Sequence, residues 1–127
     1  MTQPTFTSVL TVAVPVTDQD RTKELFETLG SKTIFDRELQ PGFRWLTLEL
    51  PGGTATLSLI LAGPELPTGI DTGVRLSTPD ARAAHATLTG LGLQVGDLLD
   101  WESAPLMFVF RDPDGNRFYV TEPYDSE

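Results

Sequence analysis

The sequence contains no cysteine, which excludes disulfides, thiolate metal sites and cysteine nucleophiles. It has a single histidine, His85, set among Ala83, Ala84 and Ala86 in a helical stretch. A general base must face the reacting group, so His85 reads as a surface or helix-packing residue, and no Ser-His-Asp arrangement is available. Basic side chains are scarce as well: 9 Lys and Arg stand against 18 Asp and Glu, for a formal net charge of −9. That balance disfavours nucleic acid and anionic membranes, both of which attract clustered Lys and Arg. An acidic surface serves solubility or favours a cationic ligand, and composition does not choose between them. No apolar run approaches the roughly 20 residues that cross a bilayer. Met1 to Phe6 lacks a basic region followed by a hydrophobic one, so no secretory signal is read and a cytoplasmic protein is expected. Leu50-Pro51-Gly52-Gly53 lacks the lysine and following helix of a phosphate-binding loop.

What is present is ordinary globular composition, 39% hydrophobic and 21% charged over 127 residues, which suits a single domain spanning 1–127. The chain also repeats at an offset of 62 residues, read directly from the sequence. Val12, Val14 and Asp18 fall on Val74, Leu76 and Asp80; Leu29-Gly30 falls on Leu91-Gly92; Pro51 and Gly53 fall on Pro113 and Gly115. A unit used twice implies two similar modules. The first runs over about 7–61, the second over about 70–123, joined by a linker at 62–69 that carries two prolines and two glycines.

The element order is the same in both. Thr7 to Val16 is rich in β-branched residues and predicts a strand. Thr17 or Asp18 caps a helix with Leu25, Phe26 and Leu29 at helical spacing, ended by Gly30. Strands follow at Lys32 to Arg37, Phe43 to Leu50 and Thr54 to Leu61, separated by the turns Gln40-Pro41-Gly42 and Pro51-Gly52-Gly53. In the second module Thr72 to Ser77 is a strand, Asp80 a cap and Ala81 to Leu91 a helix. A weak strand in Leu93 to Leu99 precedes stronger ones at Ala104 to Arg111 and Arg117 to Glu122. One helix per sheet suffices to cover one apolar face.

Four segments carry a family resemblance. They are Val14-Pro15-Val16-Thr17-Asp18 before the first helix, Leu29-Gly30 after it, Arg44-Trp45 ahead of Pro51-Gly52-Gly53, and Asp112-Pro113-Asp114-Gly115-Asn116. With the repeat, they resemble the vicinal oxygen chelate superfamily of glyoxalases, bleomycin-resistance proteins and extradiol dioxygenases, over about Val9 to Pro123. The resemblance implies an α+β fold in which two βαβββ modules form a curved mixed-sheet cup with helices on the outer face, usually as a homodimer. One departure is Leu25-Phe26, where the family often has Phe-Tyr.

Metal-using members draw His, Gln or Glu ligands from the first and last strands of each module. By position these fall on Thr11, Gly73, Leu57 or Ser58, and Tyr119. None makes a credible set, because divalent transition metals favour imidazole or carboxylate. A slip of one residue brings in Leu10, Val12, Thr72, Val74, Phe118 and Val120, which are no better. No metal and no cofactor is expected.

Alternation along the strands nominates the binding residues. Trp45 shares a face with Thr47 and Glu49, while Leu46, Leu48 and Leu50 occupy the face that should pack on the helix. Tyr119 points inward with Arg117 and Thr121. Arg75 is in phase with Gly73 and Ser77, and the missing side chain of Gly73 leaves room beside it. Trp101 sits in the long connection before the strand Ala104 to Arg111, where the resemblance implies a rim or lid loop. Asp36, Arg37, Glu38, Asp100 and Glu102 read as rim or loop charges. Trp45, Trp101 and Tyr119 suit stacking on a flat organic ligand, or packing in a core or dimer interface. Arg75 suits an anionic or carbonyl group, or an ion pair with Glu49 or another acid. The expectation is a metal-independent protein that binds a small aromatic or apolar molecule through Trp45, Glu49, Arg75, Trp101 and Tyr119. The resemblance implies antibiotic sequestration or natural-product handling. The alternatives are an enzyme of the same fold, either a lyase, isomerase or cyclase using Tyr119, Glu49 and Arg75 or a dioxygenase, and a structural or regulatory partner with no small ligand.

Overall fold

The computed structural model describes residues 3–123. The chain forms two compact units that divide between Pro67 and Thr68, inside the predicted linker. The first comprises β1 (Thr11–Val16), α1 (Gln19–Thr28), β2 (Lys32–Gln40), β3 (Phe43–Glu49) and β4 (Thr56–Leu61). The second comprises β5 (Asp71–Ser77), α2 (Ala81–Gly90), β6 (Gln94–Val95), β7 (Met107–Arg111) and β8 (Arg117–Thr121). Their sheets are ordered β1-β4-β3-β2 and β5-β8-β7-β6. In each, the first strand runs parallel to the last and the other pairs are antiparallel. This is the α+β fold of two βαβββ modules that the sequence predicts.

The repeat is visible in the caps. Asp18 and Asp80 both have extended backbones, and each carboxylate accepts a hydrogen bond at 3.1 Å, from the Arg21 and Ala83 N–H groups respectively. A short acidic side chain there satisfies one of the helix's orphan donors.

Strand alternation sorts the side chains. Leu46, Leu48, Leu57 and Leu59 are buried with Val14, Val16 and Phe26 in the first unit, on the face where α1 packs. That settles the strand parity: Leu57 belongs to the core and Ser58 to the opposite face. In the second unit Phe108, Phe110, Phe118 and Val120 are buried beneath α2 with Ala81 and Leu88, and the Phe110 and Phe118 rings stack at 5.4 Å. His85 on α2 meets Phe108 edge-on at 5.1 Å, and its Nε2 lies 2.8 Å from the Gly96 carbonyl. It is a packing residue.

Several strands are shorter than β-propensity predicts, because a strand exists only where it has a partner. The stretch from Thr7 becomes strand only at Thr11, which pairs with Thr56, the first residue of β4. β7 begins at Met107 rather than Ala104 because it pairs residue for residue with the five residues of β8. Conversely, β2 runs on to Gln40 because β3 continues beside it to Phe43. Asp36, expected as a rim charge, is instead bound by Arg44 through two bonds of 2.8 Å, while Arg44 also reaches Asp20 of α1 at 3.0 Å. The Arg44 hydrogen bonds hold the Asp36 carboxyl below the usual range.

The Asp112 to Asn116 segment is more than a turn. The Gly115 N–H closes it on the Asp112 carbonyl at 2.9 Å, and Gly115 has φ +82°, a conformation that glycine adopts without penalty. Asn116 is fully buried: its Nδ2 donates to Asp112 Oδ2 at 2.9 Å, and its Oδ1 accepts from the Gly69 and Ile70 N–H groups at 3.0 and 3.2 Å. Burial pushes the Asp112 carboxyl above its ordinary range, against the opposing pull of hydrogen bonds from Asn116 and Asp114.

Candidate functional site

In the first unit, the face away from α1 carries a row of hydroxyls. Ser58 Oγ lies 2.7 Å from Thr11 Oγ1 and 2.9 Å from Thr47 Oγ1, and Thr11 Oγ1 donates to the Thr56 carbonyl at 3.2 Å. Trp45 lies on the same face, with Phe43 edge-on at 6.1 Å, while the Arg37 guanidinium sits 5.4 Å over Phe35. Glu49 stands at the end of β3 opposite Lys32, half-buried.

In the second unit, the corresponding face gathers Asp71, Arg75, Arg117 and Tyr119. The Tyr119 hydroxyl donates to Asp71 Oδ2 at 2.6 Å. The Arg75 guanidinium lies 3.8 Å over the Tyr119 ring and Arg117 lies 5.1 Å from it, close enough for cation–π attraction. The cluster depends on a bulge. Asp71 is opposite Arg117 and Arg75 opposite Tyr119, so four residues of β5 advance against two of β8. Gly73 at φ +71° makes the bulge, and a Cβ there would meet nothing within 4 Å. The glycine is therefore needed for its backbone conformation, not to leave room beside Arg75 as its side-chain size suggests. Its N–H bonds Asp71 Oδ1 and its carbonyl accepts from Arg75 Nη1, each at 3.0 Å.

This bonding sets the protonation states. Hydrogen bonds from Tyr119 and from the Gly73 N–H hold the Asp71 carboxyl below its ordinary range, and the same bond to Asp71 raises the Tyr119 phenol. Tyr119 is thus kept neutral and committed as a donor, which disfavours its use as a general base. In the Tyr119→Phe variant the Asp71 carboxyl should titrate nearer the ordinary aspartate value of about 3.9. A carbon-13 NMR titration of Asp71 reads this directly, with the carboxyl midpoint moving upward from that of the unsubstituted protein.

Arg75, Trp101 and Tyr119 line one groove of about 360 Å³, together with Arg117 and the apolar side chains of Leu99 and Met107. Trp101 is 59% exposed, in the connection after the bridge at Leu99. A wider depression of about 600 Å³ is bordered by Asp100, Glu102 and Glu122. Glu122 there accepts from the Ala81 N–H and Asp100 from Arg82, so two of its acids already serve the structure. Three of the five nominated residues thus converge in the second unit, while Trp45 and Glu49 lie on the first. Alternation had put Arg117 on the inward face but did not nominate it. It missed Asp71, although Asp71, Gly73 and Arg75 share one phase.

The donor set for a metal does not fit. Thr11 and Ser58 spend their hydroxyls on each other, Gly73 offers no side chain, and the Tyr119 phenol is bonded to Asp71. Among the described residues no group of three or more His, Asp or Glu is placed to hold a metal ion. No helix of the described residues is long and apolar enough to cross a membrane.

The profile of the Glyoxalase/Bleomycin resistance protein/Dioxygenase superfamily matches residues 8–120. Among solved structures, a member of that superfamily from Sphaerobacter thermophilus is 30% identical, with a TM-score of 0.83 over 93% of this chain and 98% of that one. An antibiotic binding protein from a Streptomyces species is 29% identical, with a TM-score of 0.81 over 96% of this chain and 100% of that one. A glyoxalase/bleomycin resistance protein from the same Streptomyces strain is 30% identical, with a TM-score of 0.75 over 91% and 100%. A comparison with functionally curated proteins finds no match.

Proposed function

We propose that this chain, which belongs to the glyoxalase/bleomycin resistance protein/dioxygenase superfamily, binds a small aromatic molecule without a metal and sequesters it. The observation that carries this reading is the convergence of Trp101, Tyr119 and Arg75 on one groove with an apolar floor. A ring stacked there buries apolar area against Leu99, Met107 and Trp101, and the polar groups at the rim fix its orientation. Likeness to an antibiotic binding protein supports an antibiotic or related natural product as the ligand class. Sequestration requires no nucleophile, and the neutral, hydrogen-bonded Tyr119 is consistent with that.

Trp45 and Glu49 are proposed as further ligand-binding residues, and the protein as a cytoplasmic homodimer. Exposed Phe6, Val9 and Leu10 support the dimer, since large apolar side chains concentrate at such interfaces. Sedimentation of a monomer across the micromolar range would overturn it.

The ligand reading is tested by titrating aromatic antibiotics against intrinsic tryptophan fluorescence. Trp101→Ala should weaken the best binder by about 2 kcal/mol, roughly 30-fold, as for an aromatic anchor at an interface. No response across a broad panel of aromatic compounds would sink the proposal. Stoichiometric transition metal in protein purified without chelator would overturn its metal independence.

A further inference from the structure

On a chain with twice as many acids as bases, the second unit's open sheet face is locally basic. Arg75, Arg111 and Arg117 share it, and Arg111 stands directly opposite Arg117 in the antiparallel ladder. Like charges placed opposite one another on a sheet repel, so this pairing is unfavourable unless something anionic relieves it. Asp71, opposite Arg117 in the parallel ladder, attracts Arg75 and Arg117 through space but is engaged elsewhere. Asp71 already accepts from Tyr119 and from the Gly73 N–H, and neither Arg75 nor Arg117 makes an ion pair among the described residues. Arg111 gives one Nη1 bond to the Gly115 carbonyl at 2.8 Å, which is neutral. Arg117 Nε is shielded from solvent and bonds to nothing. Its guanidinium is held by the Tyr119 ring, not by a carboxylate. The groove beside these residues is lined by Arg75 and Arg117 and by no acid at all.

We propose that this groove selects an aromatic ligand carrying an ionised acid group, with Arg75 and Arg117 as its counter-charges. The proposal rests on the binding reading above and adds the ligand's charge. It runs against the protein's overall sign, which taken alone favours a cation. The ring lies along Leu99, Met107 and Trp101, and the acid group lies toward the two guanidinium groups. Tyr119 is a positioning residue: its bond to Asp71 fixes the ring that Arg75 stacks on and occupies Asp71 Oδ2, so Asp71 attracts the arginines through space without bonding either.

The test compares two probes of one shape, anthracene-9-carboxylate and anthracene-9-carboxamide, followed by the fluorescence anisotropy of the anthracene. The carboxylate should bind about tenfold tighter or more at low salt, because hydrogen bonds to charged groups are stronger than neutral ones. The preference should shrink at about 0.5 M salt, where screening acts within several ångströms. Arg75→Gln and Arg117→Gln should each lower carboxylate affinity about tenfold and amide affinity clearly less, since the amide loses only a neutral hydrogen bond. The amide serves as the folding control, and Arg75→Lys should retain part of the preference. Equal binding of acid and amide, or equal weakening of both by the arginine variants, overturns the charge inference while leaving the binding reading intact. Failure of both probes to bind overturns the two together.

Discussion

Asn116→Ala should cost about 3–5 kcal/mol, since a stranded buried polar group costs about 1–3 kcal/mol and several are stranded here. The fully buried amide holds the Gly69 and Ile70 N–H groups and the Asp112 carboxylate at once. Alanine leaves two backbone donors without their acceptor and takes one donor from an already buried acid. Against a typical domain stability of about 5–15 kcal/mol, this is enough to lower the urea midpoint sharply. The loss should also depend on pH. Burial already raises Asp112 in the folded protein, and removing the Nδ2 donor raises it further. A group raised on folding contributes stability that is present below its unfolded value, about 3.9, and is lost as pH rises through the folded value. The deficit of the variant should therefore be larger at pH 7 than at pH 4. A deficit that does not change with pH, or one below about 1 kcal/mol, would show that the amide is not the clamp the geometry makes it.

Phe26→Ala should be equally severe, at about 3–5 kcal/mol, the usual cost of emptying a large buried aromatic site. The reason lies in the composition of α1. Its buried residues are Gln19, Thr22 and Phe26, with Leu25 half-buried, so Phe26 is its one fully buried apolar side chain. Gln19 adds bonds to the Arg44 and Leu59 carbonyls at 2.9 and 2.8 Å, which orient the helix but bury little apolar area. Hydrogen exchange should show the amides of α1 losing protection ahead of those of β3 and β4. If α1 keeps its protection and stability falls by less than about 1.5 kcal/mol, the helix is held by something other than Phe26.

The helix caps and turns were legible because their rules act within a few residues. Asp18 and Asp80 cap as their side-chain chemistry requires, and Gly115 lies at a positive φ one residue before Asn116. The leucine face of β3 was legible from alternation alone. What Asn116 reaches was not, since the Gly69 and Ile70 groups it holds lie more than 40 residues away. The parity at Leu57 and Ser58 was also open, because both faces of that strand carry residues that suit a sheet. Pairing of Leu48 with Leu57 and Thr47 with Ser58 resolved it.

From sequence alone came the duplication, the element order, the family, and the poverty of the positions where a metal would be held. The element order depends on residue types at short spacing, the duplication on one fixed offset of 62 residues, and the metal positions on the resemblance that those two support. Only tertiary structure brought Asp71 to Tyr119 across 48 residues, put Arg75 on the tyrosine ring, and set Arg111 against Arg117. Those contacts depend on strand register, and the Gly73 bulge shifts that register by an amount that local propensity does not encode.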